Sequence, residues 1–224
     1  MIIITGASKG IGRYLFESYV GNTEVAGTYL TSTPIDHPNE YHELDVSDYQ
    51  QVVDFFEYLR PDSEITLINC AGINYNSLTH KSDPDEWKKV IDVNLMGTYN
   101  MIREVLPYMR DNGFGRIINF SSVVALKPTP GASAYAASKS ALWGMTRSIA
   151  AENASHGITI NNINMGYSEL GMIEQVPKKF MKSIIDSIPA KRLCLPEDIL
   201  NTVEYLRNTS YITGSSIDLN GGLI

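Results

Sequence analysis

Short runs of mostly apolar residues alternate along this chain with longer stretches whose apolar positions recur every three or four residues. The short runs are Ile2-Ile3-Ile4, then residues 24–29, 41–45, 65–69, 116–120, 158–163 and 216–219. They are too short for helices and are bounded by Gly, Pro, Asn or Asp, so they predict seven strands. Helical periodicity fills the gaps: residues 13–20, 49–60 behind a Ser47-Asp48 cap, 84–109 opened by Pro84-Asp85, 133–154, and 196–207 opened by Pro196. Asn94 and Gly97 are poor helix formers in the middle of the longest of these stretches. Residues 33–39 carry two prolines and no helical period, which predicts a loop between the second and third strands. Residues 166–192 read as an irregular segment containing Met and Lys. Apolar strands alternating with helices imply an α/β fold: a single doubly wound domain over 1–224, its seven-stranded parallel sheet covered by helices on both faces.

Composition narrows the partners. A chain of 224 residues is long enough for one sizeable core. A net charge of -7 and a pI near 5.1 argue against nucleic acid or an anionic membrane, whose phosphates require a basic face. No apolar run approaches the roughly 18 residues of a membrane span, and the first residues lack the charged region of a signal peptide. Cys70 and Cys194 are too few for a disulfide framework and read as buried, reduced thiols of a cytoplasmic protein. His37, His42, His80 and His156 show no metal-ligand spacing, so no metal is expected.

Two stretches carry candidate chemistry. The first strand runs into Thr5-Gly6-Ala7-Ser8-Lys9-Gly10-Ile11-Gly12 and then a helix. Glycines at such a turn let backbone approach a pyrophosphate, and the helix N-terminus offers it free N–H groups. Gly6, Ser8, Lys9, Gly10, Ile11 and Gly12 are therefore candidate nucleotide contacts, although T-G-x-x-x-G-x-G is not the G-x-G-x-x-G spacing. Where dinucleotide-binding folds place an acid for the ribose of NAD, the chain has Thr31 and Ser32 and no acid before Asp36. Hydroxyls there, with Lys9, suit a 2′-phosphate, so the sequence favours NADP(H) and leaves NAD(H) as the alternative.

The second stretch is a buried-strand pattern ending in Ser121-Ser122, followed by a helix that begins Ser133-Ala134-Tyr135-Ala136-Ala137-Ser138-Lys139. Tyr135 and Lys139 are four apart and share a helix face. An ammonium beside a phenol favours the phenolate, so the expectation is that Lys139 draws the Tyr135 pKa from about 10 towards about 7. The spacing by itself also fits an ordinary half-buried tyrosine beside a solvated lysine.

Taken in order, these pieces resemble the short-chain dehydrogenase/reductase family over essentially the whole chain. The matching motifs are Thr5 to Gly12, Asp45-Val46, Asn69-Cys70-Ala71-Gly72, Val93-Asn94-Leu95-Met96-Gly97, Ser122 with Tyr135, Tyr135-Ala136-Ala137-Ser138-Lys139, and Asn220-Gly221-Gly222. The resemblance implies a Rossmann domain and a catalytic set of Ser122, Tyr135, Lys139 and Asn94. In that set Tyr135 protonates the carbonyl oxygen and Ser122 hydrogen-bonds it. Lys139 lowers the Tyr135 pKa and holds the nicotinamide ribose, while Asn94 anchors a water that relays protons to Lys139. It also implies that Asp45 and Val46 face the adenine and that Asn69, Ala71 and Gly72 line the cofactor cleft.

Two departures stand out. Where the family commonly has Pro-Gly and, four residues beyond the glycine, a threonine for the carboxamide, this chain has Met165-Gly166 and Leu170. The carboxamide would then rely on backbone groups near Gly166 or on Ser168. The link between the second and third strands also lacks its usual helix.

Within the family the similarity is to the 3-oxoacyl-(acyl-carrier-protein) reductase-like group, through Gly27-Thr28, Tyr211-Ile212-Thr213-Gly214-Ser215-Ser216 and the closing Asn220-Gly221-Gly222. It implies a small-molecule or acyl-thioester ketone as substrate. Residues 166–192 are expected to form a substrate lid, with Tyr167, Leu170, Met172 and Phe180 lining the pocket. Lys178, Lys179, Lys182, Lys191 and Arg192, diluted by Glu174 and Asp186, make a local cationic cluster that suits an anionic substrate or is simply a solvated face. Two other readings stay open: an NAD(H)-dependent alcohol or sugar dehydrogenase, and a nucleotide-binding sensor or scaffold without catalysis. Met101, Leu142 and Trp143 exceed what one sheet face is expected to cover, which with the resemblance implies a homodimer or homotetramer.

Overall fold

The computed structural model describes residues 1–34, 36–171, 173 and 176–224. Strands β1 (Ile2–Thr5), β2 (Val25–Tyr29), β3 (Tyr41–Glu43), β4 (Ile65–Asn69), β5 (Gly115–Ser122), β6 (Ile158–Met165) and β7 (Ser216–Leu219) form one sheet in the order β3-β2-β1-β4-β5-β6-β7. Every neighbouring pair is parallel. The chain builds outward from β1 to β3, then restarts beside β1 with β4. That reversal opens a crevice at the carboxyl ends of β1 and β4, the place where open α/β sheets hold ligands.

Successive side chains of a strand point to opposite faces, and here both faces are dry. Ile3, Leu67, Ile117 and Ile160 pack with Val52 and Phe56 of α2 (Tyr49–Leu59) and with Met101, Ile102 and Val105 of α4 (Thr98–Asn112). Their neighbours Ile2, Ile4, Ile68, Ile118 and Ile163 pack the other way, on Leu15 and Phe16 of α1 (Gly10–Tyr19) and on Ile199, Val203 and Leu206 of α7 (Pro196–Asn208). Each fully buried aliphatic side chain contributes about 1.5–3 kcal/mol relative to an exposed one, which is why the strands read as continuous apolar runs. Met101 and Leu142 belong to this interior, so they do not mark a surface left for a second subunit. Met96 and Tyr99 are the exposed apolar residues of that region.

The 84–109 stretch is not one regular helix. It divides into α3 (Pro84–Ile91), capped by Asp83 through Asp85 N–H and Glu86 N–H, a π-turn (Asp92–Gly97), and α4. The two poor helix formers sit in the wide turn for separate reasons. A Cβ on Gly97 would lie 2.5 Å from Val46 Cγ2, and the Asn94 side chain leaves the helix to bind backbone elsewhere. Residues 166–192, expected to be irregular, contain α6 (Lys178–Ser187). Its apolar positions Met181, Ile184 and Ile185 do fall at helical spacing, but lysines crowd them in the sequence, and no residue of this helix is fully buried.

No helix joins β2 to β3 among the described residues. Tyr41 occupies part of the face such a helix would cover: its ring lies 4.1 Å from that of Phe16, and its hydroxyl donates to Ala7 O at 3.0 Å. On the same edge strand, the half-buried His42 ring meets Phe55 and Tyr58 edge-on at 5.4 and 5.6 Å. Burial holds its pKa below the ordinary histidine value. A depressed folded-state pKa stabilises the fold above the unfolded value of about 6.5 and loses that contribution as pH falls. The melting temperature should therefore drop between pH 7 and 5 more steeply in this protein than in a His42→Phe variant. Parallel pH profiles for the two would contradict this assignment.

Candidate active site

β1 ends at Thr5, whose Oγ1 accepts from Cys70 N–H at 3.1 Å and Ala71 N–H at 3.0 Å. One hydroxyl thus locks the ends of β1 and β4 together at the crevice. The chain then turns on Gly6, which has φ +64°, and a Cβ there would lie 2.8 Å from Ala71 Cα. The turn closes on Gly12, where a Cβ would come within 2.4 Å of Gly6 O. α1 begins at Gly10 behind an extended Lys9, with no side chain capping it and no acid in its first turn. Its leading N–H groups and partial positive charge therefore point out of the turn towards any anion in the crevice. Close backbone approach, an uncapped helix start and the missing acid together fit a dinucleotide pyrophosphate.

Around this turn, Ser8 and Ile11 are half-buried, and Lys9, Thr31 and Ser32 are exposed. Asp45 Oδ1 accepts from the N–H and the hydroxyl of Ser47, and Val46 is buried against Gly97. Asn69, Ala71 and Gly72 follow the end of β4, and the crevice floor there is tight: a Cβ on Gly72 would lie 3.3 Å from Asn94 Oδ1 and 3.7 Å from Lys139 Nζ. Lys139, Asn94 and the Asn69–Gly72 motif therefore meet at one point.

β5 delivers two serines to opposite sides. Ser121 turns under α5 (Ser133–Asn153), donating to Lys139 O at 3.1 Å, and Ser122 accepts from Val124 N–H at 3.4 Å at the strand's end. Lys139 is buried, and its ammonium lies 5.6 Å from the Tyr135 ring centroid and donates to Phe120 O at 2.7 Å. Asn94, fully buried, accepts from Ile73 N–H at 2.8 Å and donates to Ile73 O at 2.9 Å and to Ser138 Oγ at 3.1 Å. The π-turn aims this side chain across the crevice instead of along its own helix.

Electrostatics correct one expectation. Burial pushes the Tyr135 phenol up to about 12, and a hydrogen bond with Ser122 is what draws it back. Lys139, also stripped of water, falls to about 8. Proximity to Lys139 does not lower the Tyr135 pKa as the spacing suggested, because desolvation of the phenol outweighs an ammonium that is itself poorly solvated. The phenol is a loaded proton donor at neutral pH. The two cysteines are half-buried and unpaired, and burial raises both thiols, Cys194 to about 11.

On the substrate side, Tyr167 and Phe180 are exposed and Leu170 is half-buried. Met172 lies outside the described residues. Ser168 is buried, its hydroxyl donating to Leu170 O at 2.8 Å, so its proton is already committed within the loop. Gly166 is needed where it stands, since a Cβ there would lie 2.7 Å from Asn220 Cα. Among the cations, Lys182 pairs with Asp186 and Arg192 with Asp198, and the Lys179 ammonium sits 4.9 Å from the Phe180 ring centroid. Among the described residues no group of three His, Cys, Asp or Glu could hold a metal, and no helix is long and apolar enough to cross a membrane. Sequence reasoning missed Thr146, Asn162 and Asn164, which seat α5; Trp143, expected to face a second subunit, instead turns its indole N–H inward to Ser121 and Asn164. The available signal was three asparagines, Asn161, Asn162 and Asn164, inside an apolar strand.

Comparison with known proteins finds relatives along essentially the whole chain. The family model described as short chain dehydrogenase matches residues 1–179. The chain is 36% identical over 236 residues to an acetoacetyl-CoA reductase of Shinella zoogloeoides, covering 98% of this chain and 96% of that protein. It is 34% identical over 241 residues to a 3-oxoacyl-(acyl-carrier-protein) reductase of Thermotoga maritima, covering 99% and 96%. The crystal structure of a 3-oxoacyl-(acyl-carrier protein) reductase from Brucella melitensis superposes with a TM-score of 0.91 at 31% identity, over 99% of this chain and 90% of that one.

Proposed function

Because the chain belongs to the short-chain dehydrogenase/reductase family, whose members are NAD(P)-dependent oxidoreductases, we propose that it reduces a 3-oxoacyl thioester or related ketone to a secondary alcohol with NADPH. The observation that carries this reading is the convergence of Ser122, Tyr135 and Lys139 beside the crevice that the glycine turn lines. Relatives named for reducing acetoacetyl-CoA and 3-oxoacyl carriers point the same way.

In this mechanism the bound nicotinamide supplies the hydride. Gly6, Gly10 and Gly12 admit the pyrophosphate, and Lys9, Thr31 and Ser32 meet the 2′-phosphate. Asp45 and Val46 border the adenine, and Lys139 holds the nicotinamide ribose. Ser122 and Tyr135 converge on the substrate oxygen, Ser122 as hydrogen-bond donor and Tyr135 as the acid that protonates it. Reduction uses the protonated phenol, the form that burial favours. Asn94, fixed by three hydrogen bonds, holds a water that returns the proton through Lys139. Tyr167, Leu170 and Phe180 border the acyl chain, with α6 as part of the lid. Cytoplasmic location and association into a dimer or tetramer complete the reading, and light scattering reports the latter.

A ketone panel assayed with NADPH and NADH at low and high salt tests substrate, cofactor and lid together. Expected are a preference for NADPH and a steeper loss of kcat/KM with salt for 3-oxoacyl-CoA than for neutral ketones, because exposed Lys178, Lys179 and Lys182 attract the anionic handle. Equal salt slopes would remove α6 from substrate recognition. Preference for NADH and a sugar alcohol would favour the dehydrogenase alternative.

A further inference from the structure

α5 carries both Tyr135 and Lys139, so whatever fixes this helix on the sheet fixes the proton-transfer geometry. Half of its buried residues are polar, Ser138, Lys139, Thr146 and Asn153, alongside Ala134, Leu142, Ile149 and Ala150. Apolar contact is non-directional and tolerates a helix that rolls or slides, whereas hydrogen bonds restrict both motions. Two rows of polar side chains, buried except at their ends on half-buried Ser216 and exposed Asp218, cross the sheet beneath α5. In the first, Asn69 donates to Asn119 at 2.9 Å, Asn119 and Thr146 both donate to Asn162 Oδ1 at 3.3 and 2.8 Å, and Asn162 donates to Ser216 at 3.0 Å.

The second row lies two residues further along the strands, where Ser121 pairs in register with Asn164 and Asn164 with Asp218. Here the Trp143 indole N–H is shared between Ser121 Oγ at 3.2 Å and Asn164 Oδ1 at 3.0 Å. Asn164 is itself held by donating to Asp218 Oδ1 at 2.7 Å, and Ser121 donates onward to Lys139 O at 3.1 Å. Ser121 and Asn164 are almost wholly buried, where a polar group left without a partner is costly. This row alone reaches the catalytic turn, and Ser121 is the residue before Ser122.

We propose that Trp143 and Asn164 are positioning residues for proton transfer: acting through Ser121, they set the Lys139 turn of α5 against the end of β5, and with it the separation of Ser122 from the Tyr135 hydroxyl. This rests on the catalytic assignment above and deepens it. Both side chains are engaged by Ser121, Asp218 and each other, and their effect is on geometry, to which turnover is steeply sensitive.

The test compares Trp143→Phe, Ser121→Ala, their double variant and Tyr135→Phe, measuring kcat, KM and the pH dependence of ketone reduction. Trp143→Phe keeps aromatic volume and removes the shared donor, and should lower kcat about 10- to 100-fold with substrate KM nearly unchanged. The alkaline limb of its kcat profile should move to higher pH, because a stretched Ser122–Tyr135 hydrogen bond draws the phenol's pKa down less. Ser121→Ala deletes one oxygen and should reproduce the loss. It also carries the measurement if Trp143→Phe does not fold. The double variant should cost little more than the worse single, as expected when both break one chain. Normal kcat and an unshifted limb in both singles, with Tyr135→Phe inactive, overturn the positioning role while leaving the catalytic reading standing. An active Tyr135→Phe overturns the catalytic reading itself.

Discussion

Tyr135→Phe should bind NADPH as tightly as the parent and reduce ketones about 10²–10⁴-fold more slowly, the range that general acid catalysis contributes. The substitution removes one oxygen from a half-buried ring and no backbone contact, so folding and cofactor affinity should survive. Burial keeps this phenol protonated, pushed up to about 12, beside the buried Lys139 ammonium. Ser122 remains in the variant, but an aliphatic hydroxyl is a far weaker acid. Fluorescence titration with NADPH and steady-state kcat separate the two effects. Turnover within a few-fold of the parent would mean that the proton comes from elsewhere.

The second large effect is expected at Gly12. A Cβ there would stand 2.4 Å from Gly6 O, 2.9 Å from Gly6 C and 3.1 Å from Ala7 Cα. All are backbone atoms of the turn, and none can swing aside as a side-chain tip could. Gly12→Ala must push α1 away from the crevice and misaim its leading N–H groups. Overpacking of this kind costs about 1–3 kcal/mol, so NADPH affinity should fall about 10- to 100-fold and the melting temperature should drop. Gly144→Ala is the control, since a Cβ there meets nothing within 4 Å. Equal NADPH dissociation constants for Gly12→Ala and Gly144→Ala would show that the turn does not hold the pyrophosphate.

The sheet was legible in the sequence because each central strand is buried on both faces and must be mostly apolar, as Ile2-Ile3-Ile4 and the Ile65, Leu67 and Ile68 positions of β4 are. The glycine turn and the Tyr135–Lys139 pair were legible because close backbone approach and a shared helix face leave little choice of residue. What the sequence hid were matters of environment. The Tyr135 pKa depends on how much water the fold removes, which no spacing reveals. Asn94 looked like a misfit in a helix because the contacts that explain it, to Ile73 and Ser138, are distant in sequence. α6 was obscured for the opposite reason: it buries so little that its apolar stripe is short and interrupted by lysine.

The π-turn at Asp92–Gly97 has a consequence for how this site could be lost. A regular helix advances about 100° per residue, and a π-turn amounts to one inserted residue. Excising a single position from that turn would heal the helical ladder and yet rotate everything before it by roughly that angle. Asp83, Trp87 and the rest of α3 would then be out of phase with the sheet, or Asn94 would swing away from Ile73. The irregularity is a spacer, and straightening it would trade the crevice for a better helix.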